Sequence, residues 1–315
     1  MTVRRIHLTG TDLETSALGM GCAPLGSRYS PGQSIRALER ALDAGVTWFD
    51  VAPAYGAGQA EAILGRFLKG RRDAVQVATK VGLRAPRMGL AKRIALPLAR
   101  PVVATLKKLR NGGGGTGGNG KPGGGIVNDK LALSPDFIVQ TLETSLKALG
   151  TDQVDLFLLH EPTPAEVVRD DVLQTLESLR KAGKARHLGV AGSHEAGLAA
   201  AATGAYQVVQ MADSPDHSAI DAIRAQATAP IGLISHSVFG NAAAQAQAHS
   251  RLQSDPALAA AVQGADQVHR LLLWRALASN PDGVVLASLA RLDNLADNLA
   301  AALLDPAMLD RDPRT

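Results

Sequence analysis

Residues 45–82 read GVTWFDVAPAYGAGQAEAILGRFLKGRRDAVQVATKVG, and the order of patterns in this stretch decides the fold class. Thr47–Val51 is a short apolar run of the strand type. Gln59–Lys69 then carries Ile63, Leu64, Phe67 and Leu68 at helical spacing and is closed by Gly70. Val75–Lys80 is a second strand-like run. Strand, helix, strand is the grammar of a parallel α/β sheet, because parallel neighbours need a crossover element between them.

The same alternation extends in both directions. Upstream, Ser34–Ala44 places Ile35, Leu38 and Leu42 on one helical face and stops at Gly45, and Ala17–Cys22 reads as a strand before it. Residues 5–8 and 12–16, turned by Thr9-Gly10-Thr11, read as a small hairpin ahead of that strand. Downstream, Ser134-Pro135-Asp136 is a helix start, with Ser as N-cap and Pro at the first helical position. That helix runs through Leu142, Leu146 and Leu149 to Gly150. Further strands are expected at Val154–His160, His187–Ala191, Val208–Met211, Gly232–Ser235 and Val284–Ala287, with helices over Val167–Lys181 and Leu292–Leu304. Eight strands alternating with helices point to a (β/α)₈ TIM barrel, and 315 residues suit one such domain spanning 1–315.

Composition limits the alternatives. Apolar residues make up 46% of the chain and aromatics only 3%, so the core is built from Ala, Leu and Val. The single cysteine, Cys22, excludes an internal disulfide and a multi-cysteine metal site, suits a reducing cytoplasm and reads as a small buried hydrophobe. The first residues lack the apolar core of a signal peptide, and Pro97, Arg100 and Pro101 break the closest approach to a spanning run. The expected location is therefore the cytoplasm. The histidines are not at metal-ligand spacing, so no metal is expected.

One segment departs from the barrel pattern. From Arg84 to Arg110 eight basic residues occur without an acid, and Gly112–Gly125 then reads GGGGTGGNGKPGGG. Residues 84–130 read as a flexible, basic, Gly-rich insertion after the third strand that covers one end of the barrel. Apolar residues interleaved with the bases over 84–110 leave contact with a membrane surface as an alternative; no nucleic-acid partner is expected.

Active sites of such barrels lie at the C-terminal ends of the strands. The second strand carries Asp50 and runs into Tyr55, the third ends in Lys80 and the fourth in His160. Reducing a carbonyl by hydride transfer creates an alkoxide that needs a proton as it forms. A phenol has a reference pKa of about 10, and an ammonium at Lys80 would lower it. Asp50 would hold Lys80 charged, and a neutral His160 would donate to the oxygen where charge develops. The hydride must come from a cofactor.

These residues carry a family resemblance. Residues 45–82, quoted above, closely resemble the signature of the aldo-keto reductases, and LSPDFIVQTLETSLKALGTDQVDLFLLHEP (133–162) resembles a second signature of that family. Asp50, Tyr55, Lys80 and His160 fall on the four places of the family's tetrad. The resemblance spans the chain apart from residues 84–130. It implies an NAD(P)(H)-dependent oxidoreductase acting on a small carbonyl or alcohol, with Tyr55 as acid/base. The form APAYGAG at 52–58 hints at sugars or hydroxy-carbonyl compounds.

The resemblance also implies cofactor contacts. The family's carboxamide-holding Ser-Asn pair falls here on Ala191-Gly192, with Ser193 as the neighbouring substitute. Gln210 matches the carboxamide-binding glutamine. His236 stands where the family has a stacking aromatic, followed by Ser237 near the pyrophosphate. Asn298 occupies the adenine-contacting place, and Arg291 is the cation that favours NADP(H) over NAD(H) by meeting a 2′-phosphate. Tyr29, Trp48, Arg84, His194 and Phe239 are candidates for the substrate pocket. The altered positions leave a second reading, a cofactor-sensing regulatory barrel with little turnover.

Overall fold

The computed structural model describes residues 3–85 and 128–305. It begins with an antiparallel hairpin of β1 (Arg5–His7) and β2 (Glu14–Ser16). Then come β3 (Leu18–Gly21), β4 (Trp48–Asp50) and β5 (Gln76–Val81), followed by a two-stranded ribbon of β6 (Leu83–Arg84) and β7 (Asp129–Lys130). β8 (Val154–His160), β9 (Ala185–Gly192), β10 (Val208–Ala212), β11 (Gly232–His236) and β12 (Val284–Ala287) complete the strands. β3, β4, β5 and β8 to β12 are all parallel and close a barrel in chain order, β12 pairing back with β3. This is the expected (β/α)₈ barrel with its N-terminal hairpin.

The helices are α1 (Pro31–Asp43), α2 (Ala60–Leu68), α3 (Pro135–Leu149), α4 (Pro164–Val167), α5 (Asp170–Lys181), α6 (His194–Thr203), α7 (Ile220–Gln226), α8 (Ala242–Ser254), α9 (Pro256–Ala261), α10 (Gln267–Ser279) and α11 (Leu292–Ala302). α3 starts as read, with Ser134 Oγ accepting from Phe137 N–H at 3.3 Å, and ends at Gly150. It buries Ile138, Leu142, Leu146 and Leu149 against the barrel. Two helix readings change. α1 begins earlier, because Ser30 and Gln33 form a reciprocal capping box with Pro31 between them. The helix expected over 167–181 breaks in two: Thr163 and Glu166 form a second capping box on α4, and Arg169 is extended before α5.

All seven residues of β8 are buried, as expected for a parallel strand covered on both faces. Trp48, Phe49, Phe67, Phe157 and Trp274 are the large core fillers, and Cys22 is fully buried. Each fully buried Leu or Phe stabilises the fold by about 1.5–3 kcal/mol.

The hairpin closes the N-terminal end of the barrel. Leu8 and Leu13 are buried there, and Ser16 Oγ accepts from Thr47 N–H at 2.9 Å. That end is braced by Asp155, at the start of β8, which accepts from Arg72 (2.8 Å), Val77 N–H (2.8 Å) and Arg186 (3.1 Å). Arg186 and His187 continue the network to Asp12 at 2.8 and 2.6 Å. The C-terminal end is left open for a site.

The insertion springs from that open end, since β6 follows β5 directly; its two feet pair as Leu83 with Lys130 and Arg84 with Asp129. The rest of it, residues 86–127, lies outside the described residues, and so do the Gly-rich tract and most of the proposed membrane-contacting stretch.

Candidate active site

The strand ends converge as the sequence reading expects. In register, Asp50 of β4 lies opposite Ala78 of β5, Lys80 opposite Leu158 of β8, and His160 and Gln210 both opposite Ala191 of β9. Asp50, Tyr55, Lys80, His160, Gln210, His236 and Ser237 all line one cavity of about 610 Å³ at this end of the barrel.

Lys80 and Asp50 form its floor. Lys80 Nζ donates to Asp50 Oδ1 at 2.6 Å and to the Val51 carbonyl at 3.2 Å, and the two side chains are 1% and 2% exposed. Burial works against the lysine charge, but Asp50 and Tyr55 outweigh it and hold the ammonium above its ordinary pKa. Half-buried Tyr55 stands above, with Lys80 Nζ 4.9 Å from its ring centroid and the His160 ring edge-on at 5.8 Å and 84°. The expectation of a lowered phenol pKa is corrected here: burial raises it, Lys80 opposes this, and the net direction is upward. His160 is pushed down to about 3 by burial and by the Lys80 and His236 charges, so it is neutral near pH 7. Its Nδ1 is buried without a hydrogen-bond partner.

Tight backbone approaches set these positions. Tyr55 opens a short turn in which Gly56 (φ +60°) lies so close to the loop after β3 that a Cβ there would sit 1.8 Å from the Leu25 carbonyl oxygen. Gly82 (φ +134°) lets the chain after Lys80 pass against His160, whose carbonyl oxygen a Cβ would meet at 2.4 Å. Among the described residues three non-glycines have positive φ: Ala57, Glu161 and Ser237. They follow Tyr55, His160 and His236 by one or two residues, a placement typical of strain held at functional sites.

The candidate cofactor contacts divide. Gln210 is 3% exposed, and its Oε1 has no partner. His236 Nδ1 is 3.0 Å from Ser237 Oγ, and burial lowers its pKa. Asn298 is buried and donates weakly to the carbonyl of Ser288, another lining residue, at 3.4 Å. Ser193 is used otherwise: its Oγ caps α6 by accepting from Ala196 N–H at 3.3 Å, and Ala191 rather than Ser193 lines the cavity. Arg291 is exposed at the N-cap position of α11, outside the lining. An unsatisfied amide oxygen at Gln210, a polar rim and a flat imidazole fit a nicotinamide nucleotide.

None of the five pocket candidates lines the cavity. Trp48 is fully buried inside the barrel, His194 stacks on His217 at 4.0 Å, and Phe239 packs on His269 at 4.7 Å. Neither these nor Tyr29 and Arg84 line the cavity. Arg28 and Glu161 do, and the sequence reading passes over both. Glu161 follows His160 directly, which is the signal that could have found it; Arg28, in an irregular loop, has none. Among the described residues no group of three or more His, Cys, Asp or Glu is placed to hold a metal ion, and no helix is long and apolar enough to cross a membrane.

A closed parallel barrel with a buried ammonium–carboxylate pair beneath a tyrosine defines a class of barrel with its chemistry at the C-terminal mouth. Within that class the chain belongs to the aldo/keto reductase family, whose family description matches residues 17–309. Aldo-keto reductase YhdN of Bacillus subtilis is 30% identical over 189 residues, covering 58% of this chain and 45% of that protein. Pyridoxal 4-dehydrogenase of Microbacterium luteolum is 32% identical over 156 residues, covering 48% and 41%. The chain thus spans less than half the length of these curated relatives. In fold it resembles an aldo-keto reductase from Bacillus halodurans in holo form (TM-score 0.66, 20% identity, 96% of this chain and 92% of that one). It also resembles one from Klebsiella pneumoniae in complex with NADPH (TM-score 0.62, 18% identity, 99% and 94%).

Proposed function

We propose that this chain is a nicotinamide-dependent oxidoreductase that interconverts a small carbonyl compound and its alcohol, with Tyr55 as the acid/base. The observation that carries this reading is the buried Lys80–Asp50 pair under Tyr55, in the cavity that His160 also lines. Gln210 holds the carboxamide of the cofactor, His236 faces its ring, and Ser237 after β11 with Arg28 after β3 meets the phosphates from either side of the loop after β12, all three loops lining the cavity. Asn298 lies on the adenosine side, and Arg291 favours NADP(H) over NAD(H). The NADPH complex of the Klebsiella relative supports that preference. A bound reduced nicotinamide supplies the hydride.

The chain's own groups handle the proton and the charge. Tyr55, its pKa raised, is protonated through the neutral range and donates to the substrate oxygen as negative charge builds there. Lys80, kept charged by Asp50, stabilises the phenolate left behind. Neutral His160 donates a hydrogen bond to the same oxygen. In the reverse direction the Tyr55 phenolate accepts the alcohol proton.

Titration of the purified protein with NADPH and NADH by calorimetry, followed by an assay against aldehydes, ketones and aldoses, tests the reading. Saturable binding, tighter for NADPH, with turnover supports it. Binding without turnover favours the cofactor-sensing alternative, to which the apolar Ala191 and the capping role of Ser193 lend support. No binding by folded protein overturns both.

A further inference from the structure

Glu161 is the one charged residue of the cavity that the proposed chemistry leaves without a task. It follows His160 at the end of β8, and its N–H donates to the Ala191 carbonyl at 2.7 Å. Its backbone is left-handed, φ +54°, a conformation glycine would adopt without cost and a glutamate adopts only under constraint. Among the described residues its carboxylate has no hydrogen-bond or ion-pair partner; Lys130, whose charge acts on it, is paired with Glu166 at 3.4 Å. Loss of water holds the carboxyl above its usual range.

Its place on the rim separates it from the cofactor. The residues given to the nucleotide lie on β10, β11 and the loops after β12 and β3. β8 stands across the ring from β12 and two strands from β10, beside β5 and Lys80. The mouth therefore has a cationic side at Arg28 and an anionic side at Glu161, with Tyr55 and Lys80 on the strands between.

We infer that Glu161 is a specificity-determining residue whose carboxylate accepts hydrogen bonds from hydroxyl groups near the substrate carbonyl and repels substrates bearing a carboxylate. The preferred class is then neutral hydroxylated aldehydes and ketones. In the open mouth Glu161 is exposed and water satisfies its carboxylate; a bound substrate displaces that water, so one with a hydroxyl to donate restores the lost hydrogen bonds and one without leaves them unmade. The inference rests on the oxidoreductase reading.

The test compares kcat/KM for glyceraldehyde, propanal and succinic semialdehyde in the wild type, Glu161→Ala and Glu161→Gln, with the NADPH Kd measured in each. The wild type should prefer them in that order. Glu161→Ala should lower the glyceraldehyde-to-propanal ratio about tenfold. Glu161→Gln, which keeps an acceptor without the charge, should retain much of that ratio while improving succinic semialdehyde. NADPH affinity should not move. Unchanged ratios in both variants, or a parallel loss of NADPH affinity, would overturn the assignment while leaving the activity standing. No turnover of any of the three by the wild type, or of other carbonyls, would overturn the activity and the inference with it.

Discussion

Lys80 Nζ and Asp50 Oδ1 are 2.6 Å apart, and neither side chain is more than 2% exposed. A pair so deeply buried contributes little net stability, since the cost of stripping water from both ions offsets their attraction. Removing one partner is different, because it strands a charge. Asp50→Ala and Lys80→Met should each destabilise the fold by about 3–5 kcal/mol. The double variant Asp50→Leu/Lys80→Met should recover most of that stability while having no activity. Urea denaturation with an activity assay on the same samples checks this; a double variant as unstable as the sum of the singles would show that the single losses do not come from a stranded charge.

Tyr55→Phe keeps the ring and removes the proton. Carbonyl reduction should fall by about 10²–10⁴-fold, with NADPH affinity within about twofold of wild type because the proposed Gln210 contact is untouched. Since burial raises the Tyr55 pKa, reduction should be flat across neutral pH. Alcohol oxidation, which needs the phenolate, should climb with pH into the alkaline range. Steady-state rates in both directions against pH decide it.

His160 carries a pH-dependent share of the stability. Its folded pKa of about 3 lies below the unfolded value near 6.5, so the unfolded chain binds the extra proton first. The stability is fully present above about pH 6.5 and is lost as pH falls towards 3, on the order of 5 kcal/mol in all. His160→Asn should flatten the unfolding free energy across that window relative to wild type. An unchanged slope would mean that other groups dominate acid unfolding.

Asp155 and His160 sit at opposite ends of the same strand, and their substitutions should separate accordingly. Asp155→Ala removes the acceptor for Arg72, Arg186 and the Val77 N–H at the closed end. It should cost about 3–5 kcal/mol of stability. Activity measured well below the melting temperature should be close to wild type. A large kcat loss without destabilisation would show that the two ends are coupled.

The strand–helix alternation was legible because buried parallel strands and one-sided helices leave periods of their own in the chain. All eight barrel strands fall within two residues of their expected ends. Asp50, Tyr55, Lys80 and His160 were legible too, since each ends or follows an apolar strand where a barrel exposes its residues. Helix starts were read less evenly. The capping boxes at Ser30 and Thr163 are written as plainly as the cap at Ser134, yet an unbroken apolar period across 167–181 hid the turn at Val168 and Arg169.

Local pattern thus determined the barrel, the order of its strands and which strands bring ionisable groups to one end, because those properties depend on residues close in the chain. Tertiary structure alone decided the rest. It turned Trp48 into the barrel. It set Arg28 and Glu161 on the rim of the cavity and moved the Tyr55 pKa up rather than down. The reason is common to all three: burial, desolvation and cavity lining are sums over neighbours brought together by closure of the barrel, and no window of sequence contains those neighbours.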